Sequence, residues 1–273
     1  MEDSHGDDAD DHGPVPPDGA AGGEGVEVHH KHHPVRDWRE FLKEVGIIVL
    51  GVLIALGAEQ TAEWLHWRHQ VHAAEDAIRL EVQTDNGPQA VARVAIEPCL
   101  VRQLDALQAA IEAGADRTQI QRLAAAYSPP RRTWDQEAWR AATASQVASH
   151  MPAAEMLAWS GPYRTIPGLA DSNNKEQHHL VSLLAGRRSA GPATQAEEER
   201  WLVAVQNLRH ENDSMAYGSL TLLAAARDAG APVSRETEAK VLAELRAHYG
   251  PCVVAPDLSP TDMTSQLNDP RHR

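Results

Sequence analysis

The stretch EFLKEVGIIVLGVLIALGAEQTAEWLHW, residues 40–67, contains the apolar run that decides the fold. The run itself, Val45 to Ala58, is 14 residues long and lies between Glu44 and Glu59. As a helix it would rise about 21 Å, which is less than the ~30 Å hydrocarbon core of a bilayer. The run alone therefore fits a buried core helix better than a membrane span.

The flanks of the run reverse this interpretation. A helix from Trp38 to Trp64 would measure about 39 Å, close to a bilayer with its headgroup layers. Tryptophan is enriched at membrane interfaces, and a carboxylate at an interface can reach water. We therefore predict a transmembrane helix over residues 38–64, whose interface residues are Trp38, Glu44, Glu59, Trp64 and Trp67. A core helix and a signal helix are the alternatives, and the acidic residues before the run disfavour a signal.

The charges beside the predicted span indicate its orientation. Four basic residues, Lys31, Arg36, Arg39 and Lys43, precede the run, whereas only Arg68 lies within fifteen residues after it. Basic flanks stay on the cytoplasmic side. We expect a bacterial inner-membrane protein with a cytoplasmic N-terminus and a periplasmic C-terminal domain. The high ratio of arginine to lysine fits a bacterial genome rich in G and C.

One face of the predicted helix carries small residues. Gly51, Ala55, Ala58 and Ala62 recur at steps of four, three and four. Small residues at this spacing let two helices approach closely in lipid. A homodimer through the membrane helix is one interpretation, and the general abundance of Gly and Ala in membrane helices is the other.

Three segments carry a resemblance to a known family. They are REFLKEVGIIVLGVLIALGAEQTAEWLHWRHQV (39–71), PCLVRQLDAL (98–107) and AWRAATASQVASHM (138–151). Together they resemble an uncharacterised family of bacterial single-pass membrane proteins of unknown function. The resemblance implies a membrane anchor and a helical extracytoplasmic domain, and it implies no activity.

The predicted architecture is all-α, with one N-terminal transmembrane helix that extends into an antiparallel helical bundle between disordered termini. Residues 1–35 contain nine acidic residues and several histidines, and they read as a disordered cytoplasmic tail. Residues 65–252 have helical spacing of apolar side chains and form the predicted domain. Residues 253–273 are polar and contain proline, so we predict a disordered C-terminal tail.

Local signals predict the helices of the domain. Asn86-Gly87-Pro88 and Pro98 mark kinks or breaks, and Gly114, Gly230 and Gly250 mark helix ends. Thr194 with Glu197 forms a capping-box pattern, and Ser234 is a predicted N-cap. The expected later helices are 135–150, 152–159, 166–184, 195–229 and 235–249.

The two cysteines, Cys99 and Cys252, lie at the start of one predicted helix and just after the last one. An oxidising compartment favours a disulfide between them. Two unpaired thiols are the alternative. A catalytic thiol is disfavoured, because neither cysteine belongs to a CxxC motif or a nucleophile motif.

The 15 histidines raise the question of a metal site. His29, His30, His32 and His33 are weak candidates, because a flexible cluster lacks fixed supporting contacts. The group His66, His69 and His72 follows the predicted span at steps of three, which spreads it too widely for one coordination sphere. Contact with lipid headgroups is favoured for this group over a pH-sensing role. We therefore predict no resident metal.

Polar residues elsewhere give weak signals for chemistry. Asp135 and Glu137 are carboxylates, while Ser145 and His150 lie on one predicted helix without a nucleophile elbow. Core packing is favoured over a ligand pocket for the tryptophans at positions 134, 139, 159 and 201. No nucleotide-binding, dinucleotide-binding, HExxH or EF-hand motif occurs, so we predict no cofactor and name no catalytic residue.

The expected function is non-enzymatic: a membrane-anchored interaction or scaffold module of the cell envelope. Its partners would be the lipid bilayer, an envelope protein and a second copy of the chain. Without its N-terminal acids the chain is nearly balanced in charge, with 25 basic residues and no basic stripe, which argues against nucleic-acid binding. A ligand or pH sensor that signals through the membrane helix is the first alternative. An envelope hydrolase that uses Asp135 and Glu137 is the second.

Overall fold

The computed structural model describes residues 38–130, 132–184 and 192–258. In these ranges the chain is helical and contains no strand, so the all-α prediction is confirmed. The predicted tail 1–35 lies outside the described residues, as do residues 259–273 of the predicted C-terminal tail 253–273. The chain divides between Gly57 and Ala58 into two units, which are described in turn.

The described part of the first unit, residues 38–57, belongs to helix α1, Trp38–Glu81. Every side chain in these residues is exposed, including Ile47 at 71% and Leu50 at 58%. The apolar window here has a mean hydropathy of 2.2, and its helix is long and apolar enough to cross a membrane. Exposed apolar chains suit contact with lipid, whereas a core helix would be covered by protein.

The second unit begins with the rest of α1 and continues through a π-helical turn, Val82–Asn86, into α2, Gly87–Glu112. The Gly87 N–H donates to Val82 O, which closes the wider turn. A Cβ at Gly87 would lie 2.7 Å from that oxygen and 2.5 Å from Val233 Cγ2, so only glycine fits there. The predicted break at Asn86-Gly87-Pro88 is thus a π turn within a continuous helix, and α2 also continues through Pro98.

Six further helices follow in the described part of the chain. They are α3, Arg117–Ala126; α4, Glu137–Ala144; α5, Val147–His150; α6, Ala153–Leu184; α7, Gln195–Asp228; and α8, Arg235–Tyr249, which leads into a short 3-10 turn, Gly250–Cys252.

Helix ends match the local signals. Thr194 and Glu197 form a complete capping box at α7, and the Ser234 side chain accepts a hydrogen bond from the Thr237 N–H at α8. Gly114, Gly230 and Gly250 have positive φ angles of 67°, 77° and 76°, which glycine adopts more readily than other residues at helix ends.

The predicted break between residues 159 and 166 is wrong, because α6 runs without interruption through Pro162 and Pro167. Helix α6 packs along α7, and a Cβ at Gly218 would lie 2.8 Å from Leu169 Cδ2, so the two backbones approach closely. Burial of Ile166 and Leu169 against α7 offsets the backbone hydrogen bonds that the two prolines remove.

The predicted antiparallel bundle consists of α2, α6 and α7. Gly161 lies near Ala225 and Leu169 near Gly218, so α6 and α7 run in opposite directions. The Arg209 guanidinium on α7 contacts Asp105 on α2 at 2.6 Å, whereas Asn212 on α7 reaches Arg93 near the start of α2, so this pair is antiparallel as well.

Two apolar clusters fill the bundle. One joins α2, α3, α8 and the first half of α7 around Leu100, Leu104 and Leu208. The other joins the end of α1 to α6 and the second half of α7 around Ile78, Ile166 and Leu222. The predicted C-terminal tail begins at residue 253, whereas Val253 is buried in the first cluster and the Val254 N–H donates to Ala95 O at 3.0 Å. Residues 253–258 are thus part of the described structure, without regular secondary structure.

Candidate functional site

The candidate site is an open cleft of about 490 Å³ between the second-unit part of α1 and the corner where α5 meets α6. We call it the α1–α6 cleft and define it by Trp64, Trp67, His72 and Glu75 on α1 with His150 and Glu155 on the other side. Trp64 and Trp67 are three residues apart, as are His72 and Glu75, and Trp64 lies about three helical turns before Glu75, so the four residues share one broad side of the helix.

Aromatic contacts form one end of this cleft. The indole of Trp67 stacks on the His150 imidazole, with ring centroids 4.0 Å apart and an interplanar angle of 11°. The Arg68 guanidinium lies 5.3 Å from the Trp64 ring centroid, within cation–π range. The stacking contact leaves Trp67 half-buried, whereas Trp64 remains exposed.

Carboxyl groups form the other end. The Glu75 side chain is only 13% exposed, and the exposed Glu155 lines the same cleft. The Nδ1 atom of His72 lies 3.6 Å from Glu75 Oε2. Burial raises the pKa of Glu75 to about 7; the nearby Glu155 carboxyl group acts in the same direction, and His72 opposes them.

Two groups of buried polar residues lie inside the bundle. Arg93 and Glu176 are fully buried and paired, with Arg93 Nη2 2.6 Å from Glu176 Oε1, and the Tyr127 hydroxyl donates to the same oxygen at 2.9 Å. Burial and the Glu176 charge raise the pKa of Tyr127, so this hydroxyl remains a donor. The network joins α2, α6 and the end of α3.

The second group fixes the end of α1. Glu81 is buried and accepts hydrogen bonds from the Tyr163 hydroxyl at 2.6 Å and from the Ala138 N–H at 2.8 Å. Burial and the bond to Glu81 raise the pKa of Tyr163. Together with the packing of Ile78, these bonds attach the last turn of α1 to α4 and α6.

The predicted disulfide is present in the structure. Cys99 and Cys252 are bonded, and their Cα atoms lie 5.1 Å apart, which is within the usual range. Cys99 is buried on α2 and Cys252 follows α8, so the bond ties the end of the domain to its second helix.

The predicted membrane residues lie along α1. Trp38, Glu44, Glu59 and Trp64 are exposed, as are the small residues Gly51, Ala55, Ala58 and Ala62, whereas Trp67 is half-buried against His150. A Cβ at Gly51 would meet no atom within 4 Å, so this face is open.

The weak metal candidates at positions 29, 30, 32 and 33 lie outside the described residues. In residues 38–130, 132–184 and 192–258, no group of three or more His, Cys, Asp or Glu side chains is placed to hold a metal ion.

The structure separates the residues that gave weak signals for chemistry. The Asn86 side chain donates to the Asp135 carbonyl oxygen at 2.8 Å and accepts a hydrogen bond from the Asp135 N–H at 3.0 Å. Glu137 is exposed beside Arg140. The Ser145 hydroxyl donates to Ala142 O at 2.9 Å, and His150 stacks on Trp67. Of the tryptophans proposed for the core, Trp159 and Trp201 are buried, and Trp134 and Trp139 pack against the second cluster.

Sequence reasoning missed the pairs Glu75 with Glu155 and Arg93 with Glu176, which are 80 and 83 residues apart along the chain. Arg93 offered a usable signal, because it is the one charged residue in the apolar segment AVARVAI, residues 90–96. Its burial follows from that pattern, but its partner does not.

No family model matches the chain, and no curated protein or solved structure matches it.

Proposed function

We propose that this chain is a membrane-anchored, non-enzymatic protein of the bacterial cell envelope, with a cytoplasmic N-terminus. Its helical domain lies outside the cytoplasm and serves as an interaction or scaffold module. The observation that carries the proposal is the Cys99–Cys252 disulfide in a domain that follows an exposed apolar helix. Disulfides persist in oxidising compartments and are rare in the cytosol, which supports placing the domain outside.

The α1–α6 cleft is the proposed contact site for the envelope partner. It combines aromatic rings with carboxyl and imidazole groups, and aromatic side chains are enriched where proteins bind one another. In the same helix, the cleft residues follow the apolar run by only a few residues, so a partner bound there would lie close to the membrane surface.

Photo-crosslinking in intact cells tests this role. A photoreactive amino acid at position 60, beside the cleft, is expected to capture one protein, and Trp67→Ala is expected to abolish the adduct. The same amino acid at the exposed Glu244 on α8 is the matched control and should give no such adduct. Equal capture from both positions, or capture that survives Trp67→Ala, would contradict a specific contact site.

A sensor is the second candidate, and the Glu75–Glu155 pair favours it. A carboxyl group with a pKa of about 7 changes its charge in the range of environmental pH. Under this proposal the domain responds to pH or to a small ligand, and α1 passes the response through the membrane. An adduct of small-molecule mass at position 60 would favour the sensor over the scaffold.

Self-association through α1 completes the proposed set of partners. Gly51→Leu is expected to weaken a dimer, because the larger side chain separates two helices that meet on the small-residue face. Gly46→Leu is the matched control, since Gly46 is equally open and lies five residues away on a different side of α1. Chemical crosslinking in membranes measures both variants, and an equal dimer fraction in both would refute the proposal.

A further inference from the structure

The Cys99–Cys252 disulfide lies beside two open clefts in the surface of the domain. The first cleft, of about 330 Å³, is lined by both cysteines together with Arg102 and Gln103. The second, of about 550 Å³, is lined by Cys252, Arg102 and Glu97, and Cys99 does not line it. A thiol that enters the second cleft therefore meets the sulfur of Cys252 first.

We propose that this disulfide is a thiol-exchange site, at which a dithiol attacks the Cys252 sulfur, displaces Cys99 and releases the chain that follows Cys252. We call this chain the C-terminal strap and define it as residues 253–258. The inference goes beyond the interaction role proposed above and does not depend on it. In a cell, a protein with a CxxC pair is the kind of dithiol that supplies the reaction.

The exchange consists of two steps that balance without any other oxidant or reductant. In the first step, a thiolate of the dithiol bonds to Cys252 Sγ, and the bond to Cys99 breaks with its electron pair on Cys99. In the second step, the other thiol of the reagent loses its proton and attacks the reagent sulfur of the mixed disulfide, so Cys252 leaves as a thiolate. The dithiol is oxidised to a disulfide, and the two cysteines are reduced and take up its two protons.

The surroundings of the two sulfurs make Cys99 the better leaving group. Arg102 follows Cys99 by three residues on α2 and lines the same cleft, and a nearby cation stabilises a thiolate. Cys252 instead comes just after the C-terminal end of α8, and its sulfur lies 3.1 Å from the Tyr249 carbonyl oxygen. The partial negative charge at a helix C-terminus disfavours a thiolate there. Attack on Cys252 with departure of Cys99 is therefore the favoured direction.

The reduced thiols also have acceptors beside them. Gln103 Oε1 is buried and accepts no hydrogen bond in the described part of the chain, and Gln103 lines the first cleft together with Cys99. It is thus an acceptor available to the S–H of Cys99. On the other side, the Tyr249 carbonyl oxygen is close enough to accept from the S–H of Cys252. The domain can therefore hold the reduced pair without leaving either thiol as an unsatisfied donor.

The strap depends on the disulfide and on a short set of further contacts. Val253 and Pro256 are buried, and Leu258 packs partly against the second apolar cluster. The Val254 N–H donates to Ala95 O on α2 at 3.0 Å. Because a chain end without regular secondary structure opens readily when it is not tied down, cleavage of the bond frees the strap and uncovers α2 around Ala95.

Reduction of the native protein tests whether the bond is attacked directly. The sample is the full-length, detergent-solubilised chain, the reagent is dithiothreitol, and a maleimide mass tag counts free thiols on gels while circular dichroism follows helix content. Direct attack predicts a rate proportional to dithiothreitol over about a hundredfold range and unchanged by urea below the unfolding transition. A rate that levels off, or that follows the fraction unfolded by urea, would overturn the proposal, because the bond would then react only in an opened chain.

A monothiol shows which sulfur is attacked. After partial reaction with 2-mercaptoethanol and an acid quench, trypsin places the two cysteines in different peptides, residues 94–102 and 247–271. Mass spectrometry should find the mixed disulfide at least about tenfold more often on Cys252 than on Cys99. Equal labelling of the two, or an excess on Cys99, would contradict the proposed direction of attack.

A pair of arginine variants tests the leaving group. Arg102→Gln should slow reduction by about threefold or more, because the Cys99 thiolate loses its nearby cation. Arg122→Gln replaces an exposed arginine on α3 that lines neither cleft, and it is the matched control with an unchanged rate. Equal rates in the two variants would overturn the assignment of Cys99 as the leaving group.

Hydrogen exchange measures the release of the strap. In the reduced chain, the Val254 amide should exchange at least about tenfold faster than the Leu104 amide in the buried part of α2, because the strap opens without unfolding of the domain. Unchanged helix content by circular dichroism confirms that the domain is folded. Equal exchange rates at the two amides would mean that the strap leaves only by global unfolding, and would overturn its release by thiol exchange.

Discussion

Replacing Arg93 with methionine would leave the Glu176 carboxylate buried without its cation. Both side chains are fully buried, and Arg93 donates to the two carboxylate oxygens at 3.1 and 2.6 Å. After the substitution, only the Tyr127 hydroxyl still donates to Glu176. Removing one partner of a buried ion pair costs about 3–5 kcal/mol, so we expect Arg93→Met to lower the free energy of unfolding of the domain by that amount.

Replacing Glu176 should lower the free energy of unfolding by a similar amount, because a buried cation then loses its anion. Glu176→Leu leaves a buried guanidinium with only the Asn212 side chain, 3.1 Å away, as acceptor. When both substitutions are combined, no charge remains buried at this site, but the Tyr127 hydroxyl loses its acceptor and Asn212 Oδ1 loses its donor. Two unsatisfied polar groups cost about 2–6 kcal/mol, which is below the sum of about 6–10 kcal/mol for two independent losses.

The assay is urea unfolding of the detergent-solubilised chain, followed by circular dichroism at several denaturant concentrations. The two single variants and the double variant form a double-mutant cycle, which isolates the coupling between the two residues. Adding Tyr127→Phe to the double variant should recover part of the remaining loss. Single losses below about 1 kcal/mol, or losses that add in the double variant, would refute the argument that a buried ion pair joins α2 to α6.

Three further predictions concern the stability of the domain. Replacing both Cys99 and Cys252 with serine removes a cross-link between residues with a sequence separation of 153. In the chain-entropy model this loss lowers the free energy of unfolding by about 5 kcal/mol. It should appear as a lower urea midpoint with an unchanged fold. Gly87→Ala should destabilise the domain by about 1–3 kcal/mol through overpacking at the π turn, whereas Gly168→Ala, where a Cβ meets nothing within 4 Å, should stabilise it by about 0.5–1 kcal/mol in the same assay. The Thr194 N–H and the Arg117 guanidinium lower the pKa of Glu197 to about 2. The difference in free energy of unfolding between the unchanged chain and Glu197→Gln should therefore be complete above about pH 4.5. It should disappear as the pH is lowered to about 2.

Local patterns predicted most of the fold. The caps at Thr194 and Ser234 and the glycine ends at 114, 230 and 250 depend on a few neighbouring residues, so sequence alone was sufficient for them. The uninterrupted α6 was not predictable in this way, because packing against α7 outweighs the helix-breaking tendency of two prolines.

The candidate site was only partly predictable. The aromatic and histidine residues after the apolar run drew attention by their spacing, and Trp67 and His72 indeed line the cleft. Glu75 and Glu155 did not draw attention in the sequence, because a carboxyl group acquires a raised pKa from burial and from its neighbours rather than from its position in the chain. A pairing across 80 residues depends on the tertiary fold.

The central claim, an anchored domain outside the cytoplasm, is tested most directly by protease treatment of spheroplasts from a Gram-negative host that produces the full-length chain. The account predicts that the helical domain is digested from outside while the N-terminal segment is protected, and that the intact chain migrates faster without reductant than with it, because the Cys99–Cys252 bond keeps the chain compact. A protected domain with two free thiols would contradict the account, since the chain would then have its domain in the cytoplasm.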